Sequence, residues 1–77
     1  MNDMCIPLNA IGIGKYAEVK NIDSGEMMCK RLMEMGVNKG TLIEIIRNDV
    51  GPLIIGLGQT RFALGRGMAQ KVMVIEV

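Results

Sequence analysis

Short runs of branched aliphatic residues, separated by turns rich in glycine, asparagine and proline, recur along nearly the whole of this 77-residue chain. Runs of this length and composition are typical of β-strands. The predicted strands are residues 15–22, 41–47, 53–57, 60–64 and 71–77. Short sheets must close or stack to bury one face, and the chain is long enough for one core only. We therefore predict a mostly β fold, a single domain over residues 1–77 that forms a small, strongly bent barrel of about five strands.

One segment breaks the strand pattern and predicts an α-helix between the first and second strands, over residues 23–36. Met28, Leu32 and Met35 recur at spacings of four and three and form one apolar stripe. Lys30 and Arg31 fall largely outside that stripe. The helix is thus expected to bury one face and to expose the other.

Both ends of this helix carry recognisable terminal residues. Asp23 followed three positions later by Glu26 predicts a capping box at the start. Gly36 predicts a left-handed ending, with Val37 packed against Leu32.

The remaining connections are short. Residues 48–52 and Gly58-Gln59 have turn chemistry and predict two hairpins. Residues 65–70 predict a single helical turn. Residues 1–14 hold Pro7 and two glycines among scattered aliphatics, and are expected to pack without much regular structure.

Charge and aromatic content argue against nucleic-acid binding. Nine lysines and arginines oppose eight aspartates and glutamates, and the only aromatic residues are Tyr16 and Phe62. Nucleic-acid binders normally carry a clear basic excess, and single strands need stacking platforms. A nucleic-acid-binding barrel is therefore the least favoured class.

Membrane and redox features point to the cytoplasm. No stretch approaches the roughly 20 apolar residues of a membrane span, so no direct membrane insertion is expected. The N-terminus lacks the pattern of a secretory signal. Cys5 and Cys29 are then expected to be free thiols, with a Cys5–Cys29 disulfide as the less favoured alternative.

Catalysis and metal ligation have little support in this composition. The chain has no histidine, and its eight carboxylates are scattered. Ferrous sites usually combine histidine with carboxylates, so we predict no enzyme activity and no cofactor, with ferrous iron left open but without a clear ligand set. Eight methionines, among them Met1 and Met4 beside Cys5, also allow soft-metal binding. Methionine is more commonly a filler of cores and adaptable interfaces.

Partner docking is the function that remains. Met27 and Met33 lie near the edge of the helix stripe, beside Lys30 and Arg31. Each charge alone is more simply a solvated surface residue. As a set, the predicted partner-binding residues are Met27, Lys30, Arg31, Met33, Arg61 and Arg66. Free strand edges and a methionine-rich surface also permit self-association.

The order of motifs resembles the FeoA family of ferrous-iron-transport accessory proteins. The family pattern begins with Pro-Leu, a Gly-led first strand and a helix that ends in basic-basic-Leu-x-acidic-x-Gly. A Gly-Thr strand, a Gly and Pro turn, an aliphatic strand with a Gly, and an Ala-Leu segment that leads to a final strand follow. The matching segments are Pro7-Leu8, Gly14, the heptapeptide Lys-Arg-Leu-Met-Glu-Met-Gly at residues 30–36, Lys39-Gly40-Thr41, Gly51-Pro52, residues 53–58, Ala63-Leu64 and residues 72–77.

The resemblance implies an SH3-like β-barrel and a role in the cytoplasm. It implies docking onto a ferrous iron membrane transporter that has a GTPase domain, and modulation of iron uptake. A similar domain lies at the C-terminus of metal-dependent repressors of the diphtheria-toxin-repressor type. The alternative is therefore a stand-alone regulatory SH3-like domain that senses metal or binds a peptide.

Overall fold

A computed structural model describes residues 4–77 of the chain. It contains six β-strands, one helix of nearly three turns, one short helix and a 3₁₀ turn at Leu8–Ala10. The elements are β1 (Ile6–Pro7), β2 (Tyr16–Ile22), α1 (Glu26–Met35), β3 (Leu42–Arg47), β4 (Leu53–Leu57), β5 (Thr60–Leu64), α2 (Arg66–Ala69) and β6 (Val72–Glu76).

All six strands belong to one antiparallel sheet with the spatial order β1-β6-β2-β3-β4-β5. Register shifts interrupt the β2–β6 pairing between Val19 and Asn21, and the β3–β4 pairing between Ile45 and Arg47. Such irregularities bend strands and increase their twist. Within the described residues, β1 and β5 end the order without pairing to each other, so the small barrel-like sheet is strongly bent but not fully closed.

Buried and exposed residues alternate along the strands, and the buried ones form one core. Ala17 and Val19 of β2 are fully buried, while Tyr16 and Lys20 of the same strand are exposed. The inward residues of β3, β4, β5 and β6 join them in a single cluster. One sheet can enclose a common cluster from five of its strands only if it curls around it, which confirms the predicted bent sheet.

Helix α1 closes this core as the apolar stripe predicts. Leu32 is fully buried, and Met28 and Met35 are half-buried against the cluster. Gly36 ends the helix at φ +97°, and the Val37 N–H donates to the Leu32 carbonyl over 2.8 Å. The predicted left-handed ending is confirmed.

The predicted capping box is wrong. Gly25 precedes the first helical residue, and no side chain caps the helix. The backbone N–H of Asp23 donates to the Lys71 carbonyl over 2.7 Å. That bond holds Asp23 at the end of β2, beside the start of β6, so the chain needs Ser24 and Gly25 to turn into the helix.

The N-terminal segment is more ordered than its sequence predicts. Ile6 and Pro7 pair with β6, which gives six strands instead of about five. The side-chain amide of Asn48, after β3, donates to the carbonyls of Asn9 (3.0 Å) and Ile11 (2.8 Å). One polar side chain thus fixes residues 9–11 against the β3–β4 connection.

Candidate docking surface

The outward face of α1 exposes methionines and cations together. Met27 is 81% exposed and Met33 is 59% exposed. Lys30 and Arg31 are exposed on the same helix. These residues face solvent because the buried stripe of Met28, Leu32 and Met35 occupies the other side of the helix.

An open groove of about 290 Å³ lies where α1 approaches α2. It is lined by Met27, Met28, Arg31 and Met68; we call it the methionine groove. A second depression, of about 280 Å³, shares Met27 and Arg31 and adds Lys30 and Glu34. Thioether side chains are flexible and polarisable, so three of them make an apolar floor that adapts to different occupants.

The charges beside the methionine groove are largely one sign and unpaired. Within residues 4–77, neither Lys30 nor Arg31 lies within 4.0 Å of a carboxylate, and Glu34 is the acidic neighbour. The ion pairs that do form lie elsewhere and join Lys15 to Glu76, Lys20 to Glu18 and Arg47 to Asp49. The groove can therefore accept a segment that carries apolar side chains next to a carboxylate.

The structure does not bring all six predicted residues together. Met27, Lys30 and Arg31 line the two depressions, whereas Met33 lines neither. Arg61 is exposed on β5, opposite Gly56. Arg66 is half-buried, and its Nη2 donates to the Asp49 carbonyl over 3.2 Å. A partner-binding role for Met33, Arg61 and Arg66 stays a prediction, and the docking proposal below does not include these three residues.

Sequence reasoning missed Met68, and it assigned Met28 to the core alone. Met68 lies in α2, which was predicted only as a helical turn. A four-residue helix has too few residues for an apolar stripe, so its sequence does not show which side chain meets α1. Met28 serves two purposes, since it packs on the core cluster and lines the groove.

The part of the chain that the structure describes holds no group of three or more cysteine or carboxylate residues placed to bind a metal. Cys5 is exposed and Cys29 is half-buried, and both are free thiols. The Cys29 Sγ lies 3.5 Å from the Ser24 carbonyl, just before α1. Among residues 4–77 no helix has the length and hydropathy needed to cross a bilayer.

Comparisons with known proteins match this fold and this sequence. The FeoA domain model matches residues 6–76. A relative from Methanocaldococcus jannaschii, provisionally named Fe(2+) transport protein A, is 43% identical over 68 residues, which are 88% of this chain and 83% of the relative. The crystal structure of an iron uptake regulatory protein, FeoA, has a TM-score of 0.88 at 38% identity and covers 96% of this chain and 99% of that one.

Two further solved structures bear on the fold. FeoA from Stenotrophomonas maltophilia, crystallised with zinc and described as a prokaryotic SH3 domain protein, has a TM-score of 0.79 at 28% identity over 91% of this chain and 89% of its own. A manganese-dependent transcriptional repressor reaches a TM-score of 0.87 at 16% identity, where all of this chain covers 44% of the repressor. The predicted SH3-like fold and the predicted likeness to metal-dependent repressors are both confirmed.

Proposed function

Because the chain belongs to the FeoA family, we propose that it is a cytoplasmic, non-enzymatic accessory protein of ferrous iron transport. In this proposal it docks through the methionine groove onto the GTPase-containing cytoplasmic part of a ferrous iron membrane transporter and modulates iron uptake. The family and the name of the relative from M. jannaschii support the connection to ferrous iron. In this proposal ferrous iron is the cargo of the partner.

The observation that carries the proposal is the composition of the methionine groove. Met27 is more exposed than any other large apolar residue of α1, and it stands beside two cations that lack ion pairs within residues 4–77. Exposed apolar surface with a polar rim is characteristic of protein–protein interaction sites. A partner segment with an apolar anchor and a carboxylate would bury Met27 and pair with Arg31.

Charge reversal at Arg31 tests this proposal. The transporter's GTPase-containing cytoplasmic part is titrated into the chain, and the dissociation constant is measured by calorimetry. Arg31→Glu should weaken binding by about tenfold or more, because an attractive contact becomes a repulsive one. Arg31 is exposed, so the thermal unfolding midpoint should stay close to that of the parent chain.

The matched control is Lys39→Glu. Lys39 is exposed in the turn after α1, lines neither depression, and gives the same change in net charge. Its affinity should equal that of the parent. No association of the parent with the cytoplasmic part would overturn the proposal, and equal affinities for Arg31→Glu and the parent would remove the groove from it.

The same titration separates docking from the alternative of a metal-sensing domain. Docking should proceed without added metal. Binding that appears only with ferrous or manganous ions, together with stoichiometric binding of those ions by the chain alone, would favour the metal-sensing function.

A further inference from the structure

The outer face of the sheet carries a row of residues that the docking proposal does not use. The strand register places Glu44 of β3 opposite Gly56 of β4, and Gly56 opposite Arg61 of β5. Residues paired in this way point to the same side of a sheet. Their strand neighbours Ile45 and Ile55 belong to the buried core, and Phe62, next to Arg61, packs against it, so the row Glu44–Gly56–Arg61 faces outward.

Gly56 gives this row its shape. A Cβ at Gly56 would lie 3.4 Å from the Glu44 Oε1 and 3.2 Å from the Ile46 Cδ1. The Glu44 carboxylate therefore leans over β4, in space that any other residue at position 56 would fill. Glu44 is half-buried there, so its side chain has lost part of its conformational freedom before any contact forms.

Neither charge of the row has an ion pair within residues 4–77. Next to the row on the same face lie apolar side chains. Ile54 and Ala63 are paired across β4 and β5, and Ile46 reaches Gly56. Ile46 and Ile54 remain partly exposed and Ala63 is exposed. The face thus combines aliphatic contact area with one half-buried acid and one exposed base.

An acid and a base side by side on one face are self-complementary. A two-fold axis that runs along the strands, between the Glu44 carboxylate and the Arg61 side chain, brings each charge over the opposite charge of a second copy. We propose that the outer face of β3–β5 is a homodimer surface, on which two copies form two Glu44–Arg61 ion pairs beside an aliphatic contact of Ile46, Ile54 and Ala63.

The expected dimer is weak. A standard interface buries about 800 Å² from each partner, which would be about a sixth of the 4785 Å² exposed by residues 4–77. A bent outer face offers less area than that, so dissociation constants from micromolar to millimolar are expected. This surface lies on the outside of the sheet and shares no residue with the methionine groove.

Sedimentation equilibrium over a concentration series up to about 1 mM measures this association. The parent chain should show a monomer–dimer equilibrium. Arg61→Glu and Glu44→Arg should each weaken it by about tenfold or more, because each variant places two like-charge pairs in the interface. The control Lys39→Glu should behave as the parent.

Mixing the two variants supplies the decisive measurement. The Arg61→Glu variant carries acids at both positions, and the Glu44→Arg variant carries bases at both. Opposite charges therefore face each other in both pairs of a mixed dimer, so a heterodimer should form although each variant alone associates weakly. Defects of folding within each variant would not be repaired in this way. A parent that stays monomeric at 1 mM, single variants that associate like the parent, or a mixture without heterodimer would each overturn the proposal.

Discussion

Two exposed regions of this small domain differ in charge and in the kind of apolar side chain that they expose. The methionine groove has flexible side chains, mainly Met27 and Met68, and unpaired cations at its rim. The outer face of β3–β5 has branched aliphatics and a half-buried glutamate, with one charge of each sign. The groove therefore needs a partner of different composition, whereas the sheet face complements a copy of itself.

The difference follows from the elements that build the two regions. A helix leaves its outer residues free to move, because they are anchored only through the buried stripe around Leu32. A sheet fixes its outer residues in rows, because register determines which side chains are neighbours. A small barrel can thus present two surfaces of different chemistry around a single core, one built from a helix and one from strands.

The largest expected effect tests how α1 is anchored. Leu32→Ala removes a fully buried side chain and should lower the free energy of unfolding by about 2–5 kcal/mol. Met33→Ala, on the next residue but 59% exposed, should change it by less than about 0.5 kcal/mol. Urea unfolding measures both. Equal losses would contradict the assignment of an inner and an outer helix face.

A smaller loss of stability is expected on the sheet side. Asn48→Ala removes the two hydrogen bonds to Asn9 and Ile11 and should cost about 1–3 kcal/mol. Hydrogen exchange should quicken for the backbone amide of Ile11, which donates to Leu8 over 3.1 Å within that segment. Unchanged exchange there would show that Asn48 does not fix the N-terminal segment.

Cross-testing the two surfaces sharpens the comparison directly. Met27→Ala should weaken binding of the transporter's cytoplasmic part by about fivefold, through lost apolar contact, and should leave self-association unchanged. Arg61→Glu should weaken self-association and leave binding of the transporter's cytoplasmic part unchanged. Calorimetry and sedimentation give the two affinities, and a variant that alters both would show that the surfaces are not separate.

The smallest expected effect is on how the stability of the fold depends on pH in the acid range. The pKa of Asp49 is held below its ordinary value of 3.8 by hydrogen bonds from the backbone N–H groups of Val50 and of Asp49 itself, and by the nearby Arg47 guanidinium. A lowered pKa in the folded state stabilises the fold above pH 3.8, and this contribution is lost as the pH falls towards the folded-state pKa. Asp49→Asn should therefore lower stability slightly at pH 6 and not at pH 2. Thermal unfolding at both pH values measures it, and an equal shift at both would contradict this account.

The sequence predicts most of the strand positions and the helix stripe, because both depend on local periodicity. The left-handed helix end at Gly36 was predictable for the same reason, because it depends only on neighbouring residues. The capping box failed because a hydrogen bond from Asp23 to Lys71, far along the chain, decides where the helix begins. Strand β1 was not predicted, because two residues are too few to show an alternating pattern. It forms because the chain passes beside β6 and pairs with it.

The candidate site was predictable only in part. Met27, Lys30 and Arg31 are on one helix, so periodicity places them on its outer face. Met68 reaches the groove through the packing of α2, which no local pattern encodes. The row of Glu44, Gly56 and Arg61 depends on the register of three strands, including an irregularity in the β3–β4 pairing.

Chemical-shift mapping tests the central claim most directly, namely that the partner docks on the helix side. The nitrogen-15-labelled chain is titrated with the unlabelled cytoplasmic part of the transporter, below the concentration at which the chain self-associates. Perturbed amides should cluster at Met27, Lys30, Arg31 and Met68, while Gly56 and Arg61 stay unchanged. Perturbations confined to β3–β5, or none at saturating partner, would contradict the account.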